Sequence, residues 1–242
     1  VAESFQSTLL DHHTVSEEDV RFILGLTDTQ PRSYFNLTKE AIDSVEGLGK
    51  AIDFMYKLSK QDELLTEENI KEMHGFVRNY NPYHASDYRS VPIRMPETGE
   101  PALPFDEIEK KMAEALAKYN TDVNNGDALE AIARFHYSFE YIHPFFEDNG
   151  KVGRLLVNLG LIRHGYHPIT IQDIDKDAYH QAFISENPEE ALVSLFKTYL
   201  KKFGKLDLSK KEDLEKLEFS GVILTGKAEN FAQLEGKEWI YA

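Results

Sequence analysis

The chain of 242 residues contains no cysteine, which excludes disulfides, thiol nucleophiles and cysteine-ligated metals. That absence fits a reducing compartment, and a cytoplasmic location is the expectation. Positive charge is also scarce: 27 Lys and Arg face 42 Asp and Glu, a net charge of −15 at pH 7. The sign opposes a polyanion, so no nucleic-acid partner is expected. No apolar run approaches bilayer length and the first residues carry no hydrophobic signal segment, so no membrane association is expected either. Internal repeats and low-complexity tracts are lacking. What remains is an ordinary hydrophobic content of 41%, enough for one domain with a large core and an appendage.

Periodicity organises that content into helices. Residues 1–30 read as helix with turns, and Ser16 before an apolar run marks a helix start. Over 38–60, Ala41, Ile42, Val45, Leu48, Ile52, Met55 and Leu58 recur at spacings of three and four. A helix over 66–78 opens at Thr66 and closes near Asn79 and Pro82. The period then changes: Tyr88–Met95, followed by Pro96 and Gly99, predicts a short strand and turn. Helices are predicted over 105–120, 127–142, 151–164, 175–186 and 188–203. Beyond Phe203 the chain becomes charged over Lys210–Lys216 and apolar over Phe219–Gly226. The expected organisation is an N-terminal helical segment over 1–30, a core over 31–204 and an appendage over 205–242.

The densest chemistry lies in His143–Arg154, HPFFEDNGKVGR, between two helical patterns. Ala128, Ile132, Phe135, Phe139 and Ile142 precede it; Leu155, Leu156, Leu159 and Ile162 follow before Gly165. Pro144 ends the first helix because it cannot continue the hydrogen-bond ladder. The second helix opens at about Asn149–Lys151, and such a start offers backbone N–H groups and a positive dipole end to phosphate. A histidine at one helix end therefore faces an anion cradle at the next, which suits a base working on a phosphate compound. Lys151 and Arg154 are cations at the helix end where cations are disfavoured, so a merely solvated face explains them poorly.

This loop resembles that of the Fic family of protein-modifying transferases, HPFx[DE]GNGRxxR. His143, Pro144, Phe145, Glu147, Asn149, Gly150 and Arg154 match. The likeness extends over roughly residues 1–200 and implies a mostly α fold, a Fic-type helical bundle with a short β-hairpin flap over the active site. It implies transfer of AMP from ATP to a hydroxyl side chain of a target protein, with Mg²⁺ as cofactor. His143 would be the catalytic base and Glu147 the metal ligand. Asn149, Gly150, Lys151, Gly153 and Arg154 would hold the phosphates. Phe145 is expected to be a core anchor, and Tyr179 and Asn187 fall where relatives contact adenosine. Tyr88, Arg89, Val91 and Ile93 match the target-docking flap. Some relatives transfer other phosphate-linked groups, and self-association through helical faces is compatible with the pattern.

Two positions depart from the family pattern. Asp148 stands where glycine or alanine is preferred, and Lys151 stands where arginine is preferred. Asp148 is expected either to cap the following helix or to bring negative charge towards ATP. A scaffold that binds nucleotide without transfer is the alternative these departures raise. Many relatives also carry an inhibitory [ST]xxxE[GN] helix whose acid pairs with the loop's second arginine, here Arg154. Ser7 and Asp11 approach that pattern near the start, and Thr225 with Glu229 fits it near the end. Glu46-Gly47 lies in a segment that suits a core helix instead. A di-iron site is the competing chemistry, because His136, Glu140 and His143 share one helical face, but no second Glu-x-x-His motif accompanies it.

Overall fold

A computed structural model of the chain describes residues 15–80, 85–95, 99–172 and 175–203. Eight α-helices run through them: α1 Glu17–Ile23, α2 Lys39–Ser59, α3 Glu67–Val77, α4 Ile108–Asn125, α5 Ala128–Ile142, α6 Asn149–Arg163, α7 Lys176–Phe183 and α8 Pro188–Phe203. Ser7, Asp11 and Glu229, the acid-bearing candidates for an inhibitory contact, lie outside the described residues.

The helix boundaries follow from local chemistry. Ser16 and Thr66 each begin a helix with a reciprocal capping box, completed by Asp19 and Asn69. Thr38 and Asp127 cap α2 and α5 through their side chains. The end of α6 is a Schellman arrangement: Gly165 has φ 77°, Tyr166 N–H donates to Leu161 O at 2.9 Å and Gly165 N–H to Ile162 O at 3.1 Å.

The bundle is organised around α6, which packs against α2, α3 and α5, while α5 also meets α4 and α8. Every residue of α6 from Lys151 to Leu161 is buried. The three-and-four spacing of Leu155, Leu156 and Leu159 suggested one apolar face. Val152, Val157 and Leu161 complete the circumference, as a central helix requires. Close approach of α5 and α6 depends on Gly160, where an added Cβ would lie 2.8 Å from Ile132 Cγ1 and 3.0 Å from Tyr119 Oη.

The expected hairpin is reduced to one antiparallel bridge, Arg94 with Pro101, and no strand forms among the described residues. Met95 N–H donates to Glu100 O at 2.8 Å and Ala102 N–H to Ile93 O at 3.1 Å. The ladder extends no further towards Tyr88 because Pro92 has no N–H and Val91 O is taken by the Arg89 guanidinium at 3.1 Å.

Gly47 sits in α2 against the end of α3, consistent with a core-helix role. An added Cβ would lie 2.5 Å from Phe76 O and 3.0 Å from Val77 O. Backbone oxygens cannot rotate away, so Gly47→Ala is expected to cost about 1–3 kcal/mol. That is a net loss despite the roughly 1 kcal/mol gained in helix propensity. Urea unfolding of the two proteins measures it.

Candidate active site

Three clamps shape the loop between α5 and α6. The first holds its entrance. His143 is the C-cap of α5 with φ 49° and ψ 63°, a left-handed conformation uncommon outside glycine. Pro144 disfavours the right-handed helical region in the residue before it. His143 N–H donates to Phe139 O at 2.9 Å, and His143 O accepts from Arg89 Nε at 2.9 Å. The same guanidinium donates to Leu103 O at 2.6 Å, and Arg89 N–H donates to Pro144 O at 2.8 Å. Arg89 is buried and its guanidinium donates to four carbonyls, so it ties the flap to the loop.

The second clamp closes the loop on itself. Asn149 Oδ1 accepts from Phe145 N–H and its Nδ2 donates to Phe145 O, both at 2.9 Å. Asn149 therefore uses both ends of its amide to hold the loop's geometry. Phe145 is fully buried, the expected core anchor, and stacks on His74 with centroids 3.8 Å apart and planes 8° apart.

The third clamp comes from α3, and sequence reasoning missed it. His74 Nδ1 accepts from Ser86 N–H at 3.2 Å, which leaves Nε2 to donate to Glu147 O at 3.3 Å. Both roles belong to neutral imidazole. Burial pushes the His74 pKa down to about 4, against the raising effects of Asp148 and the Glu147 carbonyl. Four residues on, the buried Arg78 donates to the carboxylates of Glu147 and Asp148, the latter at 3.2 Å. The available signal was the spacing of four between His74 in α3 and Arg78 at its C-cap.

Asp148 occupies the N-cap position of α6 with φ 63°, but its side chain makes no cap hydrogen bond. Aspartate is among the few non-glycine residues that adopt this conformation readily, which explains how it replaces the glycine of the motif. Its carboxylate instead bridges Arg78 and Lys151, with Lys151 Nζ at 2.8 Å. Lys151 is buried, so its ammonium faces Asp148 within the loop and not open solvent. The Glu147 side chain is 53% exposed.

Gly150 and Arg154 lie together: an added Cβ on Gly150 would lie 3.0 Å from Arg154 Nη1. The guanidinium folds back over the first turn of α6. Gly153 faces the other way, where a Cβ would collide with Glu140 Oε1 and lie 3.0 Å from His136 Cε1. Its missing side chain admits the close packing of α5 and α6.

Tyr179 is also inside: it is 4% exposed, and its hydroxyl pairs with His136 Nε2 at 2.7 Å. Its ring also stacks against that of His136, which joins α7 to α5. His136 is neutral, its pKa pushed to about 3 by burial and then by the Arg154 charge. Asn187 is exposed before α8, where its carbonyl accepts Ala191 N–H at 3.0 Å. In the flap, Tyr88 is half-buried, donates to Glu67 at 3.0 Å and carries Lys71 Nζ 4.2 Å from its ring centroid. Val91 remains 44% exposed and Ile93 is half-buried. Among the described residues no group of three His, Cys, Asp or Glu is placed to hold a metal.

The model of the Fic/DOC family matches residues 64–161, a span containing all three clamps. Over those residues the chain is similar to the Fic/DOC family. It is 31% identical over 144 residues to a protein adenylyltransferase Fic of Nematostella vectensis, covering 57% of this chain and 33% of that protein. It is 25% identical over 233 residues to protein adenylyltransferase fic-1 of Caenorhabditis briggsae, covering 93% of this chain and 45% of that one. The chain thus spans less than half the length of these curated relatives. A Fic domain containing signaling protein from Bacteroides thetaiotaomicron has the same fold, with a TM-score of 0.73 at 22% identity, covering 83% of this chain and 82% of that one. Fic-1 of C. elegans superposes with a TM-score of 0.72 at 21% identity, covering 86% of this chain and 63% of that one. No described helix is long and apolar enough to cross a membrane.

The His74 clamp makes stability depend on pH. The folded histidine stays neutral down to about pH 4, whereas the unfolded one takes a proton below its ordinary pKa of 6.5. Stability is therefore fully present above pH 6.5 and falls as pH drops towards 4. Between pH 7 and 5 this histidine accounts for a loss on the order of 2 kcal/mol. Urea unfolding at the two pH values is expected to show a shallower decline in His74→Asn, even though that variant starts less stable.

Proposed function

We propose that the chain transfers AMP from ATP to a hydroxyl side chain of a target protein. The observation that carries this reading is one closed loop that fixes His143 at a left-handed helix end and folds Arg154 over Gly150 at the start of the next helix. The relatives named protein adenylyltransferases support it.

The chemistry follows from those positions. The target hydroxyl oxygen attacks the α-phosphorus of ATP as its proton passes to the His143 imidazole. The bond to the β-phosphate oxygen breaks, and pyrophosphate leaves with the electron pair. Imidazole suits the task because it titrates near neutral pH. Arg154 and the first N–H groups of α6 hold the phosphates, the guanidinium through its planar fork and the backbone through the helix end.

Glu147 fits Mg²⁺ as a single, half-exposed carboxylate, since this ion takes few protein ligands and shares substrate phosphates. Bound there, Mg²⁺ would neutralise charge on the polyphosphate. Glu147 would have to be shared with, or released by, Arg78. The exposed Val91 and the arms joined at Arg94–Pro101 offer an extended target segment a docking edge. A restraint on Arg154 by Asp11 or Glu229 belongs to the same proposal and rests on their sequence patterns.

The test is incubation with α-labelled ATP and Mg²⁺, scoring covalent label on this chain and on lysate proteins. His143→Ala is expected to lower labelling by at least about a hundredfold, the usual scale for losing a general base. ATP affinity measured by calorimetry should stay within a few fold. Retained labelling in His143→Ala excludes the base; nucleotide binding without any labelling by the parent protein favours a scaffold.

A further inference from the structure

The two departures from the family loop touch each other. Asp148 and Lys151 form an ion pair at 2.8 Å, with side chains 6% and 2% exposed. Arg78, at 3.2 Å from the same carboxylate and 4% exposed, completes a buried trio. The carboxylate stands at the N-cap of α6, at the helix end where Gly150 and Arg154 meet, yet it caps nothing. A carboxylate there is favoured by the helix dipole. It also cancels positive charge that a polyphosphate would otherwise feel, and buried charge pairs are screened little by salt.

Resting on the nucleotide reading above, we propose that Asp148 is a specificity-determining residue that sets phosphate affinity. It neutralises Lys151 and part of Arg78, so the loop binds polyphosphate through Arg154 and backbone N–H groups with a net charge lower than the family pattern provides. Aspartate and lysine at these positions are one compensated replacement and not two independent weakenings. Removing the carboxylate alone takes one counter-charge from Lys151 and Arg78 and raises the positive charge of the loop, while costing the fold a buried ion pair.

Asp148→Asn isolates the charge, because asparagine tolerates the left-handed conformation at least as well. Stability is expected to fall, since Lys151 and Arg78 lose a buried counter-ion. Affinity for ATP, and for inorganic tripolyphosphate as a probe without a base, is expected to rise roughly five- to tenfold. The gain should disappear in the Asp148→Asn, Lys151→Gln double variant, so that the cycle is non-additive. A merely structural role moves stability and affinity down together. Calorimetric titration and urea unfolding of the parent and both variants read both quantities. Unchanged or weaker binding in Asp148→Asn, or a gain that survives in the double variant, overturns the proposal while the nucleotide reading stands. If neither the parent nor Asp148→Asn binds ATP, the nucleotide reading itself fails and the inference fails with it.

Discussion

The pair of hydrogen bonds between the Asn149 amide and the Phe145 backbone is the constraint on which the site depends. It forces the chain to turn within four residues, so that α5 can end and α6 begin with both helices still packed. Everything chemical hangs on that turn. It seats Phe145 on His74, delivers the Glu147 carbonyl to the same imidazole and brings Asp148 and Lys151 together. Burial makes the arrangement demanding: each polar group removed from water needs a partner. His74, Arg78 and Arg89 supply those partners from outside the loop.

The loop is therefore less a phosphate cradle held by its own motif than a strand of backbone bolted to three neighbours. Of the residues the motif proposed for phosphate, Asn149 holds the turn, Gly153 admits α5 and Lys151 answers Asp148. Gly150 and Arg154 are left at the helix start. On the proposed reading, such a site would bind its anion through the Arg154 guanidinium and a few backbone dipoles. It is also sensitive to substitutions in α3, which carries no residue of the family's loop.

The helices were legible in the sequence because their signals are local. Thr66 capping α3, Gly165 ending α6 and the spacing of Val45, Leu48 and Met55 are decided within a turn or two. The loop was legible through its resemblance to the Fic family motif, matched at His143, Pro144, Phe145, Glu147, Asn149, Gly150 and Arg154. What the sequence hid are contacts between distant residues. Arg89 looked like a docking residue and is buried against α5, and Tyr179 looked like a ligand contact and is bonded to His136. His74 and Arg78 lie about seventy positions before the loop they organise. The hairpin was overestimated because alternation in Tyr88–Met95 signals an extended chain, while pairing also needs N–H groups and carbonyls that Pro92 and Arg89 remove.

The central claim is that the Asn149 clamp, and not helix packing alone, fixes the loop. Amide hydrogen exchange of Asn149→Ala against the parent protein tests it most directly. With two backbone groups of Phe145 released, exchange over 145–151 should accelerate by at least about tenfold, while the interiors of α4 and α5 keep their protection. Unchanged protection across 145–151 would mean that packing holds the loop without the clamp, and would contradict the account.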